Sequence, residues 1–209
     1  MAIATYSDLV TAVGTWIDDT TIAANVPTMI ALAEAEFNRM LSVPEQDATA
    51  TVDTVAATEA VTLSSAVQAL RAFYYTANGG YVELQAMSLP QMRSMYSWQA
   101  SGSPVAYALV GATALLAPIP DGVYTLSYVY TSSIPALTVS NTTNWLMTAH
   151  PDAYLFGTLL QAEFFGWNDT RLGLIKQRLD DIIAQINKGG NQRRAGSAPI
   201  RMQHGVTWG

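Results

Sequence analysis

The spacing of apolar residues changes twice along this chain, and those changes restrict its fold more than any other feature. Up to about residue 43 the period is helical. Leu9, Val10, Val13, Trp16 and Ile17 fall at i, i+1, i+4, i+7 and i+8, one face of a helix. Ser7 or Thr5 stands where a cap belongs, and Asp8 lies in the first turn, where the helix dipole favours an anion. A second helix is predicted from about Asn25, with Pro27 in its first turn. Its apolar stripe is Val26, Met29, Ile30, Ala33, Phe37, Met40 and Leu41, with Glu34, Glu36 and Arg39 largely off it. It stops before Pro44. Two such helices with a short connection read as an antiparallel pair.

From Ala48 to Thr131 the helical period is gone. Short runs rich in Thr, Val and Tyr alternate with turn residues, as strands do. Asn78-Gly79-Gly80 between Tyr75 and Tyr81 is a hairpin signal. Leu89–Tyr96 reads as one short helix or irregular turn. Pro104–Val110 is expected to pair with Thr113–Ala117 across Gly111-Ala112, and Pro118–Gly122 to form the next turn. Val123–Thr131 is expected to be the longest strand. Tyr124, Leu126, Tyr128 and Tyr130 share one of its faces, read as a packed sheet face in preference to a sugar-binding platform.

The helical period then returns. Pro151 opens a helix in which Tyr154, Leu155, Phe156, Leu159, Leu160, Ala162, Phe164 and Phe165 make nearly every side apolar. Such a helix belongs in a core or against a neighbouring subunit, so Tyr154, Phe156, Phe164 and Phe165 are candidate subunit-interface residues. A last helix carries Leu172, Ile175, Leu179, Ile182, Ile183 and Ile186 in one stripe and is expected to close at Gly189-Gly190. The rest, rich in Gly, Ser, Pro and Arg, has no period and reads as extended or disordered until bound.

The expectation is therefore an α+β protein. An antiparallel helical bundle (residues about 5–43 and 145–188) carries an inserted antiparallel β module and an extended C-terminal tail. As domains, these are 1–47 with 140–188, then 48–139, then 189–209. Only 12% of residues are charged, about half the usual share for a soluble domain. Large self-association surfaces are a fair expectation for such a chain. Charge is also unevenly spread. Residues 1–170 carry three basic and fourteen acidic side chains, whereas 171–209 carry seven basic and two acidic. An acidic body with a basic tail points to a tail that seeks an acidic partner. Arg193, Arg194, Pro199, Ile200, Arg201, Met202 and Trp208 are the candidate docking residues, through charge-assisted bonds and apolar anchors.

Reactive chemistry has little to stand on. There is no cysteine, which removes disulfides, zinc–thiolate sites and thiol catalysis together. The two histidines, His150 and His204, have no ligand spacing, and no HExxH, GxSxG or phosphate-cradling glycine loop occurs. No catalytic, cofactor or metal site is expected, and the chain is not read as an enzyme. MAIATYSDLV does not read as a signal peptide. No apolar run approaches the roughly 18 residues of a membrane helix, and no membrane partner is expected.

The order of several motifs is more specific. TYSDLVTAVGTWIDD opens the chain, then VPTMIALAEAEFNRML, then LLAPIPDGVYTLSYVYTSSIPAL, then NWLMTAHPDAYLFGTLLQAEFF. This series resembles the head-to-tail adaptor (connector) proteins of tailed bacteriophages. In that family an ALAE-like helix precedes β strands, a P-x-PDG-x-Y hairpin and an NWL…PD-x-Y helix start. The likeness reaches about Ile186 and stops before the tail. It implies a virion neck protein: a homo-oligomeric ring, usually of twelve copies, docked on the phage portal protein, with a tail or nozzle protein below. It also implies a channel for transient DNA passage and assembly in the host cytoplasm. A C-terminal extension in that family often reaches along the portal. A tail-terminator, stopper or tail-tube component is the alternative within virion structure. A cell-wall hydrolase or glycan-binding module is the alternative from another class.

Overall fold

In the computed structural model the chain is described over residues 3–17, 24–77, 80–96, 100–166 and 169–195. It is a mixed α+β protein. The helices among these residues are α1 (Tyr6–Ile17), α2 (Val26–Met40), α3 (Leu89–Met95), α4 (Trp145–Ala149), α5 (Pro151–Gly166) and α6 (Asp169–Ala195). The strands are β1 (Asp47–Asp53), β2 (Ala60–Thr62), β3 (Val67–Ala77), β4 (Gly80–Glu83), β5 (Gln85–Ala86), β6 (Ser101–Gly102), β7 (Ala106–Val110), β8 (Thr113–Ala117), β9 (Ile119–Pro120) and β10 (Thr125–Ser132). Two compact units result: Met1–Glu45 with Ile134–Gly209, and Gln46–Ser133.

In the first unit, α1 begins with a reciprocal cap. The Asp8 amide donates to Thr5 Oγ1 at 3.2 Å, and the Thr5 amide donates to Asp8 Oδ2 at 3.0 Å, so two amides left over at the helix start are satisfied. Hydrogen bonds from the Thr5 side chain and the Ala4 amide hold the Asp8 carboxyl below its usual range. The middle of the unit is α5, which packs against α1, α2, α4 and α6. That placement explains its composition: a helix with neighbours on several sides buries most of its surface. Phe37, Leu146, Met147, Tyr154, Leu159, Leu160, Leu179 and Ile182 belong to one buried cluster around it. A Cβ on Gly157 would sit 2.4 Å from the Phe37 ring, so the absence of a side chain lets α2 and α5 approach closely.

Several expectations need correcting here. Pro151 opens α5 as expected, but a separate short helix that the sequence reading did not foresee, α4, precedes it. Asn144 caps α4 by accepting from the Met147 amide at 2.8 Å, and the break falls at His150, directly before Pro151. The last helix does not close at Gly189-Gly190 but continues to Ala195, so residues 189–195 are not an extended tail. Residues 134–139, read from sequence with the β module, pack with the helices. Ile134 and Leu137 are buried in the helical core, and the Ile134 amide donates to Asn38 Oδ1 at 2.8 Å.

The second unit is two four-stranded sheets sharing a core. One has the order β1-β10-β3-β4, the other β2-β8-β7-β5. Phe73, Tyr75, Leu126, Tyr128 and Tyr130 of the first meet Val61, Tyr107, Ala114 and Leu116 of the second. The Phe73 ring stands edge-on to both Tyr107 and Tyr128, at 5.4 and 5.8 Å. The alternation along β10 is therefore a core face, and its buried tyrosines are no sugar platform. The module is not purely antiparallel, since β5 runs parallel to β7 and β6 parallel to β9. β3, with 11 residues, is longer than β10 with 8. Apolar residues on the other side of the second sheet are covered by α3, whose Met92 packs with Ala108 and Ala117.

Candidate functional site

The sequence offers no reactive constellation, so the site is sought among buried polar groups and exposed apolar ones. The densest polar arrangement lies inside the helical unit. Glu34 of α2 is buried. Its Oε1 accepts from the Leu137 amide at 2.8 Å and from Tyr154 Oη at 3.0 Å. Asn144 Nδ2 donates to Tyr154 Oη at 2.7 Å and to the Pro135 carbonyl at 2.7 Å. Asn144 Oδ1 meanwhile caps α4. Burial pushes the Glu34 carboxyl up, against the downward pull of its two hydrogen bonds. Tyr154 is raised far above its usual value, first by burial. Burial thus weighs against the charged form of each group.

Three motif fragments meet in this network, the first of them more than a hundred residues from the other two. Glu34 ends Ala31-Leu32-Ala33-Glu34, Asn144 begins Asn144-Trp145-Leu146, and Tyr154 ends Pro151-Asp152-Ala153-Tyr154. Their shared role is to fasten the segment entering α4 onto α2 and α5. Tyr154 and the Phe37 ring edge-on to it are both fully buried, and no substrate could reach the phenol of Tyr154. Sequence periodicity missed Glu34 because a carboxylate on a helix is ordinarily solvated. The clue was its place between Ala33 and Phe37, on the edge of the apolar stripe.

A second arrangement involves the end of α6. Asn187 Oδ1 accepts from the Ser42 amide at 2.8 Å, and its Nδ2 donates to the Met40 carbonyl at 2.9 Å. Asn187 thereby satisfies a carbonyl left over where α2 ends. Arg193 pairs with Glu45. Arg194 donates to the Ser42 carbonyl at 3.1 Å and to Ser42 Oγ at 3.0 Å. Gly190 lies against Val43, where a Cβ would sit 2.8 Å from Cγ1.

These positions revise the candidate residues. Arg193 and Arg194 are engaged by their own chain. Pro199, Ile200, Arg201, Met202 and Trp208 lie outside the described residues. Tyr154, a candidate for a subunit interface, is at 0% exposure and has no surface to offer a second copy. Phe156 is half-buried, with its ring 6.5 Å from that of Trp16 in an edge-on pair. Phe164 is 54% exposed and keeps a face for a partner. Phe165 lies on α5, but its side chain is outside the described residues. Trp16, assigned from sequence to the buried stripe of α1, is 57% exposed, because it stands in the last turn, at the rim of the core. Leu32, Val139 and Leu174 of the helical unit are also exposed. In the β unit, Tyr81 is 80% exposed beside Tyr74, next to an open groove of about 400 Å³ lined by Ala72, Tyr74, Tyr81 and Glu83.

Among the described residues no group of three or more His, Asp or Glu is placed to hold a metal ion. None of their helices is long and apolar enough to cross a membrane. What the described residues offer is surfaces and clasps. Compared with known families, the chain matches the family model described as SU10 adaptor protein over residues 4–203. The match runs past Ile186, about where the likeness of the motifs stops. No curated protein matches the sequence. The chain belongs to the SU10 adaptor protein family.

Proposed function

We propose that this SU10 adaptor protein is a structural part of a tailed-bacteriophage virion, joining the portal vertex of the head to the tail. The family match over nearly the whole chain carries the reading. Copies of the chain form a ring around a channel through which DNA passes. Exposed Trp16 and Phe164 on the helical unit contribute to contacts between copies. The excess of acidic over basic side chains in residues 1–170 suits a channel that must not hold DNA.

Residues beyond Ala195 dock on the portal. Ile200, Met202 and Trp208 supply apolar anchors and Arg201 a charge-assisted bond. Arg193 and Arg194 fix the base of this arm to the Ser42–Glu45 segment. A chain cut after Ala195 should fold as before and fail to attach to portal-containing heads. Electron microscopy of the purified protein, alone and mixed with such heads, tests both parts. Rings with an open centre that decorate the portal vertex are expected. A protein that stays monomeric and leaves heads bare would overturn the reading, as would normal attachment by the shortened chain.

A further inference from the structure

The end of α6 contradicts its own local sequence. Gly189 and Gly190 are adjacent in the helix, and each glycine disfavours a helix by about fivefold relative to alanine. Left to local propensity, the helix would stop there. It continues through Ala195 because tertiary contacts hold it. Asn187 bridges Met40 and Ser42, Gly190 fits against Val43, Arg193 meets Glu45, and Arg194 meets Ser42. Most of these contacts are at the surface. The Arg193 and Glu45 side chains are 55% and 29% exposed, so solvent and salt compete for the pair.

We propose that residues 189–195 form a releasable latch. Closed, the segment is the last helical part of α6, clasped to Ser42–Glu45. Open, it unwinds from the glycine pair and frees both arginines together. The chemistry that opens it is an acidic partner surface presenting carboxylates, which compete with Glu45 and the Ser42 carbonyl for the two guanidiniums. Unwinding seven residues changes their span from about 10 Å as helix to about 23 Å when extended. It thus lengthens whatever the chain carries beyond Ala195. The latch is a property of the free chain and does not depend on ring formation or portal docking.

The two glycines supply the test, because they differ in surroundings. A Cβ on Gly189 meets nothing within 4 Å, whereas one on Gly190 would meet Val43 Cγ1 at 2.8 Å and Val43 Cα at 3.2 Å. Gly189→Ala should close the latch, slowing amide exchange in peptides covering 189–195 by about fivefold. Gly190→Ala gains the same propensity but pushes against Val43, and should give no slowing or a faster exchange. Glu45→Gln, a surface change, should accelerate exchange in the same peptides, as should salt at about 1 M, where the Debye length is about 3 Å. Hydrogen exchange with mass spectrometry on the full chain reads all four. Equal slowing by the two alanine variants would overturn the latch, since propensity alone would then govern the turn. So would unchanged exchange in Glu45→Gln, or acceleration that spreads through 172–186, because the turn would not then open by itself.

Discussion

Replacing Glu34 by glutamine asks what the buried network is worth and how it responds to pH. Glu34 accepts two hydrogen bonds, from the Leu137 amide and Tyr154 Oη, and takes part in none of the ion pairs among the described residues. Its folded pKa is raised, chiefly by burial. In the window between the ordinary glutamate value and the raised one, the folded state therefore binds more protons than the unfolded state. The wild-type chain must lose stability as pH rises through that window, and the loss is complete above the folded value. Each unit of elevation corresponds to about 1.4 kcal/mol at neutral pH. In a chain of this size, 1 kcal/mol moves Tm by about 2–4 °C. Glu34→Gln keeps an acceptor oxygen and removes the titration. Its stability relative to wild type should therefore climb as pH rises above the ordinary glutamate value of about 4.3 and level off once the raised folded value is passed. Urea unfolding followed by circular dichroism at several pH values measures the difference. Parallel pH profiles for the two proteins would refute the reasoning, for Glu34 would then carry no differential proton binding. A relative stability that falls with rising pH would refute it more strongly, since it would mean the charged carboxylate is favoured in the fold.

Other outcomes follow from the same core. Thr158 is fully buried with no hydrogen-bond partner for its hydroxyl, so Thr158→Val should stabilise by about 1 kcal/mol, read as a rise in thermal midpoint. Gly157→Ala places a methyl 2.4 Å from the Phe37 ring and should destabilise by about 1–3 kcal/mol through overpacking, lowering the urea midpoint. Phe164→Ser, at an exposed position of α5, should leave the unfolding midpoint nearly unchanged while weakening association of copies in sedimentation velocity. A large loss of monomer stability instead would place Phe164 in the core.

The sequence-derived expectations held wherever a local rule was also the whole explanation. Val110 and Thr113 pair across Gly111-Ala112 as expected, because a two-residue turn between alternating strands leaves little choice of register. Leu89–Met95 is helical, and Leu126, Tyr128 and Tyr130 share a buried face, as period-two alternation requires. Expectations failed where a distant segment outweighed local preference. Gly189-Gly190 signals a helix end, yet Val43, Ser42 and Glu45 hold the helix on. Tyr154 looked like an interface residue because α5 is apolar all round. The neighbours that account for this belong to the same chain.

Composition and order alone determined that this chain has helices, then strands, then helices again, and that cysteine chemistry is absent. Both depend on residue identity and near-neighbour spacing, which a one-dimensional string records in full. Tertiary structure decided the partners of Glu34, which come from residues 137 and 154, and the fate of the glycine pair. Those outcomes depend on what is brought within 3 Å of a group by segments a hundred or more residues away. Desolvation, close packing at Gly157 and the pairing of a buried carboxylate are properties of such encounters, and no local pattern encodes them.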